Sequence, residues 1–280
     1  MGEFRRGIFV ESFYFISAPM ELVGNGLLHW NPVQHHAIDV RAYREFGLRA
    51  SPDAFKDLRL DPNRADDKWL ITQTTRVAQG SDTGSELHLT SDEIAFLREK
   101  SLSPSEFWRE ILLRRSAALA SGGLAAVPPY GRDKSISPGS EFRGLLSLAP
   151  KVAQHFRTST EAQPLKVNGR AASEVVGYWE AEKVHNHTTL ELGIFAAHKS
   201  PDSWQLTDCV YYTSDTYFMA LDLFQLWPVE GGTLIWQVSF VSAPFRTYLG
   251  GVDRYIAIKQ MINETRDTIK AFQADLQKHR

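Results

Sequence analysis

The chain has 280 residues, 43% of them hydrophobic and 23% charged, with a formal net charge of −2 at pH 7, which is ordinary for a globular protein with a sizeable core. This charge balance, without a basic cluster interleaved with aromatic residues, gives no support to nucleic-acid binding, and no apolar run approaches the ~20 residues of a membrane-spanning helix. The single cysteine, Cys209, excludes an internal disulfide and a cysteine-rich metal site.

The N-terminal part is expected to contain two strands and a short helix. Residues 7–16 are predicted to form a strand: the apolar run after Arg5-Arg6 resembles the start of a signal sequence, but Glu11 interrupts it. A short helix is predicted for residues 33–46, and the β-branched and aromatic composition of residues 69–77 predicts a second strand. The first few residues resemble a cloning remnant, so the sequence leaves the compartment open.

The middle of the chain is predicted to be helical. Thr90 and Glu93 have the spacing of a capping box, which indicates a helix start. The run 103–106 combines a serine N-cap, a proline at the first helical position and a glutamate at the third, and it predicts a helix over residues 107–121. A further helix is predicted over residues 141–148.

Residues 124–139, with three prolines and two glycines, form the one credible domain linker. They would divide the chain into an N-terminal part, residues 1–124, and a C-terminal part, residues 140–280. We nevertheless expect a single domain over residues 1–280, because the first half has too few strands to form a sheet with its own core.

The last third of the chain is predicted to form an antiparallel sheet followed by one long helix. Strands are predicted at residues 184–195, 204–213 and 233–241, whereas residues 218–227 fit either a strand or a buried helical turn. Residues 253–278 are predicted to form a helix about 37 Å long, enough to lie across a whole sheet.

The predicted C-terminal helix carries an apolar stripe at three- and four-residue spacing: Tyr255, Ile258, Ile262, Thr265, Ile269, Phe272 and Leu276. Such a stripe packs on the chain's own sheet or, alternatively, on a partner helix in a coiled coil. The predicted fold class is therefore α+β, an antiparallel sheet crossed by a long C-terminal helix, with a helical middle segment.

One stretch carries groups that are typical of a metal site. If residues 184–195 form one strand, His185, His187 and Glu191 lie on the same face. Their His-x-His-x-x-x-Glu spacing matches the core of the cupin metal motif, and two imidazoles with a carboxylate suit one divalent transition metal. The cupin motif also needs a histidine from a later strand, and the strand after the turn at residues 228–232 has none. The alternative is that the three residues belong to a solvent-exposed face.

The aromatic content, 7 Trp, 9 Tyr and 16 Phe, suits a cavity for an apolar ligand, although the same residues can simply fill the core. Trp179, Tyr211, Tyr217 and Trp236 are predicted to line or gate such a cavity. A cavity would also turn the polar face of the 233–241 strand inward: Thr233, Gln237 and Ser239.

Several motifs resemble those of a group of bacterial proteins, many of them exported, that have no established activity. In chain order they are Arg114-Arg115, Gly122-Gly123-Leu124, Pro128-Pro129-Tyr130, Tyr178-Trp179-Glu180, the histidine-bearing strand and the run 210–218. The strands followed by a long helix also resemble the helix-grip arrangement of START-type lipid-binding domains, in which the helix closes a sheet around an apolar cavity. These resemblances imply a bacterial protein of the periplasm, envelope or cytoplasm and, at the level of the fold, a lipid-binding role.

Three functions are left open by the sequence. It favours non-catalytic binding or transport of an apolar small molecule or lipid. A metal-dependent enzyme of the cupin type is the alternative, and an envelope interaction or assembly protein with a protein partner is the third. The sequence contains no Gly-x-Ser-x-Gly elbow and no paired carboxylates at a recognisable spacing, so it does not decide whether the protein is an enzyme.

Overall fold

The computed structural model describes residues 4–35, 38–84, 86–131, 136–245 and 252–278. Its strands are β1 (Gly7–Ile16), β2 (Val40–Phe46), β3 (Glu174–Val184), β4 (His187–Lys199), β5 (Trp204–Thr213), β6 (Met219–Val229) and β7 (Gly232–Ser242). Its helices are α1 (Met20–Leu28), α2 (Ala65–Ala78), α3 (Ser91–Lys100), α4 (Pro104–Gly122), α5 (Pro138–Leu148), α6 (Pro150–His155), α7 (Arg157–Thr160) and α8 (Val252–Lys278). No helix within these ranges is long and apolar enough to cross a membrane.

All seven strands form one antiparallel sheet in the order β1-β7-β6-β5-β4-β3-β2. The strands from β3 to β7 follow one another as hairpins, and β1 joins the sheet beside β7. The helical segment from α2 to α7 is inserted between β2 and β3. The predicted α+β class, with a helical middle and a long C-terminal helix, is therefore confirmed.

The helix starts that were predicted from capping residues are confirmed. The Thr90 hydroxyl accepts from the backbone N–H of Glu93 at 3.1 Å, and the Glu93 carboxylate accepts from the backbone N–H of Thr90 at 2.7 Å. Ser103 and Glu106 make the same reciprocal pair at the start of α4. Each pair satisfies two backbone donors that have no partner inside the helix.

Two predictions in the N-terminal part are wrong. Residues 69–77 were expected to be a strand but belong to α2, whose buried positions Asp67, Leu70, Thr74 and Val77 recur at three- and four-residue spacing. This helical period outweighs the β-forming composition. Residues 33–46 were expected to be a helix but contain a short 3-10 turn, Pro32–Gln34, followed by β2.

The stretch 184–195 is not one strand. Strand β3 ends at Val184, which pairs with His187, so the two residues between them form the turn of the β3–β4 hairpin. His185 adopts a φ of 57° in this turn. The predicted common face of His185, His187 and Glu191 is therefore interrupted, because the alternation of side chains holds only within a strand.

The sheet has a back face that packs against the helical segment. Back-face side chains include Trp179, Leu190, Leu192, Cys209, Leu221 and Val238, and they share one hydrophobic core with helix residues such as Leu70, Trp108 and Phe156. The largest polar side chain of the sheet in this core is paired: the Trp179 indole N–H donates to the carbonyl oxygen of Ala54 at 2.7 Å. Leu124, Val127 and Tyr130 from the predicted linker are buried in the same core.

The opposite face, which we call the front face, lies towards α1 and α8. Near one end of the sheet it forms a second core in which Trp204, Leu206 and Ile235 pack with Phe272 and Leu276 of α8. Along its length α8 also covers the edge strand β1. The Arg254 guanidinium donates to the carbonyl oxygen of Gly7 at 2.8 Å, and the Gln273 amide donates to that of Phe15 at 3.1 Å. These bonds satisfy carbonyl groups at a sheet edge that would otherwise be unpaired.

The packing of α8 differs from its predicted stripe in the N-terminal half. Tyr255 and Ile262 are exposed, at 62% and 41%, whereas Met261 is buried. Ile258 and Ile269, which do lie on the side of the stripe, are only half-buried. The middle of α8 therefore does not pack tightly on the sheet below it.

Candidate functional site

Besides Glu174 at the start of β3, which bonds to His29 and Lys199, five acidic side chains lie on the front face of four adjacent strands: Glu180 and Glu182 of β3, Glu191 of β4, Asp208 of β5 and Asp222 of β6. Their sequence neighbours Trp179, Ala181, Leu190, Leu192, Cys209, Leu221 and Leu223 are in the back-face core, so the alternation of strand side chains places the five acids on the front. Two pairs of acids are direct cross-strand neighbours, Glu180 with Glu191 and Asp208 with Asp222. Like charges at such positions are destabilising, which makes this arrangement unusual for a purely structural sheet.

The aspartate pair is satisfied by donors within the protein. The Tyr178 hydroxyl donates to Asp208 at 2.7 Å. Asp222 accepts a hydrogen bond from the Gln237 amide at 3.0 Å and another from the Ser239 hydroxyl. These donors compensate for the loss of water around the two carboxyl groups.

Gly193 makes the bond between Tyr178 and Asp208 possible. It lies directly opposite Tyr178 in the β3–β4 pair, and a Cβ atom at this position would be 1.9 Å from the Tyr178 ring. The absence of a side chain lets the phenol ring cross β4 and reach β5.

The three glutamates, which we call the glutamate triad, have fewer partners. The Tyr217 hydroxyl donates to Glu191, and the carboxyl groups of Glu180 and Glu182 lie beside that of Glu191. Glu191 is 1% exposed, and its Oε1 atom has no hydrogen-bond partner in the part of the chain that the structure describes. The triad is thus the incompletely satisfied part of the front face.

The electrostatic environment favours protonated carboxyl groups. Burial is the main cause that raises the pKa of Glu180 and Glu191 well above the usual value, and it raises the pKa of Glu182 to about 7. The principal charges acting on the triad are themselves acidic and raise these pKa values further, including Asp208 and, from α8, Glu264. The triad therefore retains protons near neutral pH unless a cation approaches it.

The acidic side chains of the front face are not completely covered by the fold. Glu180, Glu182, Asp208 and Asp222 keep partial solvent-accessible surface, although burial is the main cause of their raised pKa values. A side chain that faces an interior space would be surrounded by protein and still keep some accessible surface. The half-buried middle of α8 is consistent with such a space, because Glu264 in this part of the helix acts on Glu182.

Of the four residues predicted to line a cavity, one lies in this site. Tyr217 donates to the triad, as described above. Trp179 and Tyr211 are buried in the back-face core, and Trp236 packs on the back face against Phe13, with ring centroids 5.7 Å apart. Those three aromatic residues fill or cover the core under the helical segment.

The predicted metal ligands do not come together. His185 is exposed in the hairpin turn, and the His187 imidazole stacks on Trp69 at 4.0 Å between ring centroids and bonds to Asp215, while Glu191 belongs to the triad. Among the residues that the structure describes, no group of three or more His, Cys, Asp or Glu side chains is arranged to hold a metal ion.

Sequence reasoning singled out Glu191, as a metal ligand, but missed the other four acidic residues of the front face. A signal was present: Glu180, Glu191 and Asp222 each lie within a β-forming run and have an apolar or aromatic residue on both sides. An acid at such a position belongs to an interior face or to a solvent-exposed one, and the sequence did not distinguish them. Gln237 and Ser239, whose direction the sequence left open, are front-face residues and are buried.

Comparisons of the chain with protein-family models, with curated proteins and with solved structures found no match.

Proposed function

We propose that the protein binds a small molecule, without converting it, in the space between the front face of the sheet and α8. The observation that carries this proposal is the set of acidic side chains on the front face whose pKa values are raised by burial and which yet retain some accessible surface. A face of this kind, with a few polar groups in an enclosed space, is typical of ligand sites.

Apolar side chains of the same face provide contacts for the body of the ligand. Ala220 lies half-buried on the front face of β6 next to the aspartate pair, beside the buried side chains of Val210 and Phe224, the latter part of the second core. An apolar small molecule or a lipid would bury its chain against these residues and gain hydrophobic free energy. Transport of such a molecule is an extension of the same proposal.

The topology also supports an enclosed ligand. In START-type helix-grip domains a long C-terminal helix closes an antiparallel sheet around an apolar cavity, and this chain likewise has an antiparallel sheet followed by a long C-terminal helix, α8. This is an analogy at the level of the fold, and it supports the location of the ligand more than its identity.

A dye-binding experiment tests the proposal. Nile red, an uncharged environment-sensitive dye, is titrated into the wild-type protein, into Ala220→Trp, which fills the space, and into the matched control Ala274→Trp, which adds the same side chain at an exposed position of α8. We expect saturable binding with a stoichiometry of about one, weakened about tenfold or more by Ala220→Trp and unchanged by Ala274→Trp. Equal binding by the two variants, or no saturable binding to the wild-type protein, would contradict the proposal.

A further inference from the structure

We infer that the bound molecule carries a basic nitrogen and that the glutamate triad, Glu180, Glu182 and Glu191, holds its protonated amine. This inference rests on the proposed binding function and specifies the chemical class of the ligand: an organic cation with an apolar body.

The first support is the unpartnered oxygen of Glu191. A buried carboxylate oxygen without a donor is unfavourable, because it has lost its hydrogen bonds to water and gained none in return. The other donor at this residue, the Tyr217 hydroxyl, is already engaged. A ligand N–H group directed at Glu191 Oε1 would complete the set of hydrogen bonds.

The second support is the charge balance. The charges that act on the triad are other carboxyl groups, from β3, β5, α8 and Asp39. In the described part of the chain none of the three glutamates forms an ion pair, whereas Asp67, Glu93 and Glu141, which are also buried, each pair with an arginine. A ligand cation would supply for the triad what arginine supplies at those three sites.

The third support is the aromatic surroundings. Tyr43 and Tyr178 lie 5.5 Å apart between ring centroids, and Glu180 acts on both hydroxyl groups. Tyrosine rings beside carboxylates are favourable neighbours for an ammonium group, because the ring faces are electronegative. This environment suits an ammonium ion that makes several directed N–H bonds, and the described residues show no arrangement that converges on a metal ion.

The aspartate pair is a weaker candidate for the cation. Asp208 and Asp222 already accept hydrogen bonds from Tyr178, Gln237 and Ser239. We therefore assign recognition of the amine to the triad. The aspartate side of the front face would contact the rest of the molecule.

Three eight-carbon probes that differ in their head group test the inference by isothermal titration calorimetry: octylamine, a cation near neutral pH, 1-octanol, which is neutral, and octanoate, an anion. We expect the wild-type protein to bind octylamine about tenfold or more tightly than 1-octanol, and octanoate most weakly. If the protein binds 1-octanol saturably and as tightly as it binds octylamine, the inference is overturned and the proposed function stands. If none of the probes binds, the proposed function itself fails.

Variants test whether the triad causes the preference for octylamine over 1-octanol. Glu191→Gln keeps the shape of the side chain and removes its charge, and we expect it to reduce the preference for octylamine over 1-octanol to about threefold or less, with the affinity for 1-octanol retained. Glu180→Gln should act in the same direction, and Glu230→Gln, in an exposed turn, is the matched control. An unchanged preference in folded Glu191→Gln would contradict the assignment. If both triad variants fail to fold, the comparison of the three probes on the wild-type protein still decides the inference.

Discussion

Replacing Glu182 by glutamine is expected to stabilise the ligand-free protein, and to stabilise it more as the pH rises. Burial raises the pKa of Glu182 from its usual value of 4.5 to about 7 in the folded protein. The folded-state pKa is above the unfolded-state value, so Glu182 contributes its full stability to the folded protein below pH about 4.5, where it is protonated in both states. This contribution to the free energy of unfolding is lost as the pH rises through about 7. Glutamine is neutral throughout and does not incur this loss.

The expected magnitude follows from the pKa difference. A shift from 4.5 to about 7 corresponds to about 3 kcal/mol at full ionisation, at about 1.4 kcal/mol per pKa unit. This figure is an upper value, because the Glu182 side chain keeps partial solvent exposure. At a pH of about 5, where the folded-state carboxyl group is still protonated, the same relation gives about 1 kcal/mol.

The assay is urea denaturation of the wild-type protein, Glu182→Gln and the exposed control Glu230→Gln at pH values of about 5 and about 8.5. We expect Glu182→Gln to raise the free energy of unfolding at both pH values, by a larger amount at the higher one, and Glu230→Gln to have no pH-dependent effect. If Glu182→Gln destabilised the protein at the higher pH, Glu182 would have a compensating partner and the account of the triad would be wrong.

Three further predictions concern other parts of the structure. Gly193→Ala should destabilise the protein by about 1–3 kcal/mol in urea denaturation, because the added Cβ atom would displace the Tyr178 ring; an unchanged midpoint would contradict this geometry. Burial raises the pKa of Asp275, but hydrogen bonds, led by that from the Trp30 indole, outweigh it and lower this pKa to about 2. Asp275→Asn should therefore destabilise the protein above pH about 4, and the destabilisation should vanish as the pH falls towards about 2. Acid titrations followed by circular dichroism measure this difference. Ser103→Ala should cost about 1 kcal/mol of unfolding free energy through the lost N-cap, and no loss would refute the capping role.

Local chemistry explains which elements were predictable. The starts of α3 and α4 depend on residues three positions apart, and β7 depends on alternation within eleven residues. Helix α2 was assigned incorrectly because its composition favours strands while the spacing of its buried residues is helical. The break at His185 was missed because a two-residue turn interrupts a run that is otherwise typical of a strand.

The site was not predictable because it depends on strand register. Glu180 and Glu191 are eleven positions apart in the chain, and they face each other only because the β3–β4 hairpin pairs them. Asp208 and Asp222 meet in the same way across β5 and β6. A shift of one residue in either pairing would turn one partner to the back face, so the sequence by itself did not bring these acids together.

A crystal structure with bound 4-bromobenzylamine would show whether a ligand lies between the sheet and α8, because the anomalous signal of bromine locates the probe. We expect one bromine peak between the front face and α8, with the amine nitrogen about 3 Å from a Glu191 carboxylate oxygen. The peak should be absent from crystals of Ala220→Trp. A bound probe whose bromine lies on the back face or on the outer surface, with the front face unoccupied, would show that the ligand does not bind between the sheet and α8.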